Sequence, residues 1–336
     1  MRIWFNHWFS TVFHLINLIK KGSPNQFTVI GSNENDSVVY KNACDEWYTE
    51  PRGLSDAEYI SYCLEFCKQH KVDVFLPYKK LRPLSQAHQQ FKEAGVTLFL
   101  DEDAFKLKIL GDKAATYDYF LDCIPEHIPE YKLATSFEEF VAAYELLSQK
   151  AERVCYKLVE DEGARSFRVI DNRIESIQGL LEKPGVKITL EAAKKILSGY
   201  DFKTPLLLMP YLSGIEVSID CITTPSGDII IPRFKTNKRY SEIIFEEKLM
   251  RACKQVLAKL AFKKPLNVQF KFEGDNFYLL EINPRMSGGL QLSCLATGIN
   301  VPDIAINAAR GIHKEWNYPN YYTQKVVHIE TPICLD

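Results

Sequence analysis

The chain has 336 residues, more than the roughly 150 of one typical domain, and its 46% hydrophobic and 25% charged residues match the globular average, excluding a disordered, collagenous or coiled-coil chain. Forty-one Lys and Arg against 43 Asp and Glu give a net charge of −2, so no basic excess points to nucleic acid. Nine scattered cysteines without a Cys-x-x-Cys pair read as reduced, buried thiols of a cytoplasmic protein.

The apolar opening, residues 1–21, is interrupted by Asn6, His7, His14 and Asn17, and no small-residue cleavage site follows it. Neither a signal peptide nor a membrane span is expected. Ile3, Trp4 and Phe5 read as a first strand, and Phe9, Phe13 and Ile16 as the apolar side of a first helix. A strand over 27–30 ends in a Gly31-Ser32-Asn33 turn. A helix over 56–69, a strand over 72–76, a helix over 84–94 and a strand over 96–100 follow. This alternation predicts a parallel α/β sheet with helices on both faces. The first β–α junction, residues 5–10, has no glycine to let backbone approach a pyrophosphate, so the block reads as a Rossmann-like scaffold without its cofactor.

Beyond residue 100 the spacing predicts a helix over 101–120 that carries Gly111-Asp112-Lys113. A second helix over 136–149 has Ser136 as cap and Glu139 at the capping-box position. Strands over 154–159 and 166–170 flank a polar loop, 160–165, and a helix spans 189–197. The last third gives strands over 205–209, 216–223 and 229–235, a helix over 245–260, and two strands joined through Gly274, Asp275 and Asn276.

Residues 266–289 hold the most informative chemistry. Glu281 and Asn283 leave the same face of an otherwise apolar strand, and Gln269 lies on its partner. A three-residue loop, 274–276, puts Gln269 opposite Glu281; a two-residue loop puts Leu280 there. One carboxylate with amide oxygens suits Mg²⁺, which keeps waters and substrate phosphates. Arg285 has the same parity and suits anionic oxygens. The Ser287-Gly288-Gly289 turn permits backbone N–H groups to face an anion. An ordinary sheet edge with solvated Glu and Asn is the other reading of this spacing. Arg233 and Lys235 share a strand face, either as a solvated basic stripe or as contacts to a triphosphate or a substrate carboxylate. No Ser-His-Asp set or phosphate-binding P-loop is visible.

Val268-Gln269-Phe270, Leu280-Glu281-Ile282-Asn283-Pro284-Arg285 and Leu295-Ala296-Thr297-Gly298 together resemble the metal-binding end of ATP-grasp enzymes, notably the large subunit of carbamoyl-phosphate synthetase. Other elements fall in the matching order over about residues 1–310. Gly111-Asp112-Lys113 resembles the phosphate-contacting start of the ATP-grasp body, and Lys157 the lysine over the α- and β-phosphates. Met209, Pro210 and Leu212, with Glu216, resemble the hinge for adenine and ribose. The opening Trp4-Phe5-Asn6 with Trp8-Phe9-Ser10 also looks like a bacterial branch found in tellurite-resistance gene clusters. The resemblance implies a pre-ATP-grasp domain over 1–105 and a two-subdomain ATP-grasp fold, α+β in character, over 106–200 and 201–336. It also implies ATP with Mg²⁺ or Mn²⁺ as cofactors. In the hinge, the Pro210 carbonyl would accept from the adenine amine, the Leu212 N–H would donate to N1, and Glu216 would accept the ribose hydroxyls.

One departure is the loop after Lys157. It carries Gly163 alone, with acidic Glu160, Asp161 and Glu162 offset by Arg165 and Arg168. The implied activity is ligation of a small-molecule carboxylate to an amine or thiol through an acyl phosphate, releasing ADP and phosphate. In it Lys113, Lys157, Arg233 and Lys235 meet phosphates, Gln269, Glu281 and Asn283 hold the metal, and Arg285 is catalytic. No nucleic-acid or membrane partner is expected, and a homodimer is compatible with the reading. A kinase on the same site, or a non-catalytic ATP-binding subunit, are the alternatives.

Overall fold

The computed structural model describes all residues except 162, 177–180, 182–184, 237–239, 330–331 and 335–336. Its first sheet grows outward from a strand that is apolar on both faces. β1 (Arg2–Asn6) buries Ile3, Trp4 and Phe5 completely, as a central parallel strand covered on both sides must. β2 (Thr28–Asn33) and β3 (Glu46–Thr49) lie to one side, and β4 (Val74–Leu76) and β5 (Thr97–Leu98) to the other. The order is β3-β2-β1-β4-β5, parallel throughout, so the expected doubly wound sheet is present. Its switch point lies at β1 and β4, on either side of which the strand order runs in opposite directions.

Gly31 to Asn33, expected as a turn, are instead the second half of β2. The glycine is there for close approach: a Cβ would stand 2.5 Å from Cys44 Sγ and 2.7 Å from the Trp47 ring. Gly31→Ala should therefore destabilise the chain by about 1–3 kcal/mol, the usual cost of overpacking, read as a lower urea midpoint with an unchanged slope. An unchanged midpoint would show that Cys44 and Trp47 yield freely.

Local chemistry sets the helix borders. Helix Asp56–Gln69 starts at a reciprocal capping box between Ser55 and Glu58. The helix expected over 101–120 is two, Ala104–Gly111 and Lys113–Phe120, because the Asp112 carboxylate accepts from the N–H groups of Ala114 and Ala115. The stretch 84–94 likewise divides into Leu81–Gln86 and His88–Glu93. Ser136 caps helix Phe137–Ser148 as expected, but Glu139 reaches back to the N–H and hydroxyl of Thr135 rather than to Ser136.

Contacts group the chain into two units. One comprises Met1–Lys108, Glu216–Gln269 and Ile282–Asp336; the other comprises Ile109–Ile215 with Phe270–Glu281. The stretch 201–336, expected as one block, is thus shared between them. The second unit carries a sheet of β6 (Lys132–Ala134), β7 (Val154–Leu158), β8 (Arg168–Ile170), β9 (Lys187–Ile188) and β10 (Leu206–Pro210), in the order β6-β10-β7-β8-β9. Its core holds Phe140, Leu147, Val154, Tyr156, Leu206 and Leu208.

The third sheet has the order β15-β14-β11-β12-β13-β16, from β11 (Glu216–Thr224), β12 (Gly227–Lys235), β13 (Tyr240–Ile244), β14 (Leu266–Glu273), β15 (Asn276–Asn283) and β16 (Thr323–Val327). Ile222, Ile229 and Ile231 of this sheet share one core with Ile3, Phe5 and Leu15 of the first unit. Among the described residues no helix is long and apolar enough to cross a membrane.

Candidate functional site

In the second unit the chain runs out of a sheet at the place where an adenine edge could enter. β10 pairs antiparallel with β7 on one side and with β6 on the other. Tyr211 N–H donates to Arg153 O at 2.9 Å, so the odd-numbered residues here bond toward β7. The even-numbered ones face β6, which pairs only with Leu206 to Leu208. The Pro210 carbonyl therefore points past the end of β6, and Leu212 follows two residues beyond it. Among the described residues only the Cys155 thiol reaches that carbonyl, at 3.9 Å. An acceptor at the end of β10 and a donor two residues on form the pattern that an adenine amine and ring nitrogen need. Cys155, which sequence reasoning passed over, lies across from Met209 with its thiol pushed up to about 12 by burial, so it is an inert wall there. Tyr211 carries Arg153 on its ring at 4.5 Å and Lys271 at 5.4 Å.

Two lysines of this unit lie close together. Lys157 on β7 and Lys113 at the start of helix Lys113–Phe120 are both more than nine-tenths buried. Burial, then the neighbouring Lys113 charge, lower the Lys157 ammonium to about 8; Glu281, Cys155 and Asp161 act in the opposite sense. The two buried lysine side chains lie near the carboxylates of Glu281 and Asp161. Glu281 belongs to the same unit, and the preceding residue of its strand is held by Tyr117, whose hydroxyl donates to Leu280 O at 3.1 Å.

The acidic loop after Lys157 is fastened to itself. The Asp161 carboxylate accepts from Ser166 N–H at 2.8 Å and Ser166 O–H at 2.6 Å, and Ser166 Oγ accepts from Leu158 N–H at 2.9 Å. Lys113 Nζ donates to Asp161 O at 2.8 Å. This clasp was not legible from composition, which suggested only repulsion among three acids. Glu162 lies outside the described residues.

The first unit holds the remaining candidates. Glu216 and Lys235 face each other across β11 and β12 and form an ion pair, so each offsets the other's charge. Arg233 behaves differently from Lys235. It is 5% exposed, donates to Ser218 Oγ at 3.2 Å, and fills the space that a side chain at Gly289 would occupy. Its Nε has no partner among the described residues. A solvated stripe thus describes Lys235 alone.

The β14–β15 turn contains two residues, Gly274 and Asp275, not the three that would pair Gln269 with Glu281. On that count Leu280 falls opposite Gln269, whose amide nitrogen donates to Asn267 Oδ1 at 3.2 Å. Glu281 and Asn283 do share one face of β15. Arg285 donates to Met286 O at 3.2 Å and weakly to Asn283 Oδ1 at 3.4 Å. Among the described residues no group of three or more His, Cys, Asp or Glu is placed to hold a metal ion. A single carboxylate beside amide oxygens is the donor set that fits Mg²⁺ completed by water and phosphate oxygens rather than an all-protein cage.

Residues 202–332 match the family model described as ATP-grasp in the biosynthetic pathway with Ter operon. The carbamoyl phosphate synthase large chain of Clostridium acetobutylicum is 24% identical over 239 residues, 63% of this chain, which spans only 21% of that relative's length. The biotin carboxylase domain of Hydrogenobacter thermophilus 2-oxoglutarate carboxylase, solved with MgADP, ADP and bicarbonate, superposes with a TM-score of 0.66 at 14% identity, covering 94% of this chain and 71% of that one. The L-amino acid ligase of Bacillus licheniformis superposes with a TM-score of 0.64 at 12% identity, covering 92% of this chain and 74% of that one.

Proposed function

We propose that the chain is an ATP-grasp protein, and within it an ATP-dependent carboxylate–amine, or carboxylate–thiol, ligase working through an acyl phosphate. The observation that carries this reading is the Pro210 carbonyl at the end of β10, which among the described residues only the Cys155 thiol reaches, in the same unit as buried Lys113 and Lys157 and half-buried Glu281. Met209, Pro210 and Leu212 receive the adenine, and Glu216 accepts the ribose hydroxyls against Lys235. Lys113 and Lys157 neutralise phosphates, and Arg233 adds positive charge beside the Ser287–Gly289 turn. Glu281 and Asn283, with Gln269 as the weaker member, hold Mg²⁺, or Mn²⁺ in its place. The ion supplies charge neutralisation on the phosphate oxygens.

A carboxylate oxygen of the substrate attacks the γ-phosphorus, the bond to the β-phosphate oxygen breaks, and ADP leaves. The amine or thiol then attacks the acyl carbon, loses its proton, and phosphate leaves. Arg285 offsets the negative charge that accumulates on the migrating phosphoryl group. A screen of amino and organic acids for stimulated ADP release, with mass spectrometry of the product, tests the reading. A stable phosphate ester as the product would instead mean a kinase.

The Asp161–Ser166 clasp favours a second reading, a non-catalytic ATP-binding subunit, because it ties the loop's polar groups to one another. A catalytic loop has to reorder over MgATP to keep water from the acyl phosphate. Hydrogen exchange across residues 158–168 should therefore slow when MgATP is added. Equal exchange with and without saturating nucleotide would favour the non-catalytic reading.

A further inference from the structure

The glycine-free β1–α junction has no task in the reaction described so far, yet it meets Arg285. The Arg285 guanidinium carbon lies 5.5 Å from the centre of the Phe9 ring and 5.1 Å from that of Tyr78. The two rings stand edge to face, 5.6 Å apart at 82°, and so form a corner. Phe9 follows β1 and Tyr78 follows β4, the two strands at the switch point of the parallel sheet. In doubly wound sheets the crevice at that point takes a ligand. Here the aromatic side chains Phe9 and Tyr78 follow those two strands and meet.

The corner is itself held. Trp8 Nε1 donates to Leu76 O at 2.9 Å, and its ring lies 5.4 Å from Phe9 and 5.6 Å from Tyr78. Tyr78 N–H donates to Asn6 Oδ1 at 3.3 Å. On the other side, the turn after Arg285 packs back on the same place: a Cβ at Gly288 would stand 3.4 Å from Thr11 Oγ1 and 3.6 Å from the Phe9 ring.

Among the described residues no carboxylate pairs with Arg285; its donors reach only Met286 O and Asn283 Oδ1. A carboxylate would fix the guanidinium and cancel its charge. Two π faces fix it by quadrupole attraction and shape while leaving the full positive charge for an incoming anion. We propose that Phe9 and Tyr78 are positioning residues that aim an unneutralised Arg285 at the transferring phosphoryl group. This rests on the ligase reading for Arg285's role and on geometry alone for the corner.

The test uses the full chain and MgATP alone as probe, following acceptor-independent ADP release. Phe9→Leu and Tyr78→Leu should each lower kcat by about ten- to thirty-fold with KM for MgATP within about two-fold, whereas Tyr78→Phe, which keeps the face, should stay within about three-fold of wild type. In an Arg285→Gln background the same leucine substitutions should cost no more than about two-fold. Full additivity there, or a loss confined to thermal stability, would overturn the proposal.

A second measurement does not depend on turnover. The Arg285 Nε–H resonance, assigned by its loss in Arg285→Gln, should move downfield in both leucine variants as ring-current shielding is removed. An unmoved resonance would overturn the corner itself. A wild-type chain that releases no ADP counts against the ligase reading only, and the resonance then decides the corner.

Discussion

Glu281→Ala is expected to abolish MgATP-dependent turnover, by about a hundred- to ten-thousand-fold, while leaving the thermal transition within a few degrees of the parent. The residue is half-buried at the end of an apolar strand and is the one charged member of the proposed metal set. Its strand is tied by Tyr117 at Leu280 and by neighbouring core residues such as Leu279 and Ile282, none of which needs the carboxylate. Losing it would remove metal-borne charge neutralisation and also one of the groups that keep Lys157 protonated. Glu281→Asp should recover part of the rate, because the charge survives on a shorter arm. Turnover unchanged in a folded Glu281→Ala chain would refute the metal assignment.

Lys157→Met should weaken MgATP binding by about thirty-fold or more, since it replaces a buried ammonium at the proposed phosphate site with an apolar side chain of similar length. Lys113→Met should act in the same direction. The wild-type pH dependence is the sharper test. With Lys157 lowered to about 8 from an ordinary 10.5, the free protein loses this proton as pH rises through about 8, whereas the unfolded chain keeps it to about 10.5. Between those values the unfolded state binds more protons, so stability should rise with pH. Nucleotide affinity should fall over the same window, because a polyanion prefers the charged lysine. Calorimetry near pH 8.5, in buffers of different ionisation enthalpy, should register proton uptake on MgATP binding, and Lys157→Met should abolish that uptake. Proton uptake that is absent in the parent, or that survives in Lys157→Met, would contradict the assignment.

The fold was legible where physical signals are local. Apolar runs marked β1, β7 and β10, and the helical spacing over 56–69 matched helix Asp56–Gln69. It was illegible where a tertiary partner decides. Gly31 reads as a turn in one dimension, and only Cys44 and Trp47 packed against it explain a glycine inside a strand. β13 and β16 carry Ser241, Glu242, Gln324 and Lys325, so their pairing with one another offers no apolar alternation to read. At the site, Glu281 with Asn283 followed from strand parity, whereas the Pro210–Leu212 edge was named only through the family resemblance. The Glu216–Lys235 pair did not follow from parity, because cross-strand register depends on the length of the β11–β12 turn. The corner around Arg285 was hidden for the same reason: Phe9, Tyr78 and Arg285 are about 70 and 200 residues apart along the chain, and no spacing rule reaches that far.

The acyl phosphate itself can be followed by isotope. With an acceptor acid that stimulates ADP release, labelled with ¹⁸O in its carboxylate, each turnover should deliver one ¹⁸O atom to inorganic phosphate, because the oxygen that attacks the γ-phosphorus departs with it when the amine or thiol displaces phosphate. Phosphate carrying ¹⁸O in a one-to-one ratio with ligated product is the expected result. Unlabelled phosphate, with both ¹⁸O atoms retained in the acceptor, would contradict it.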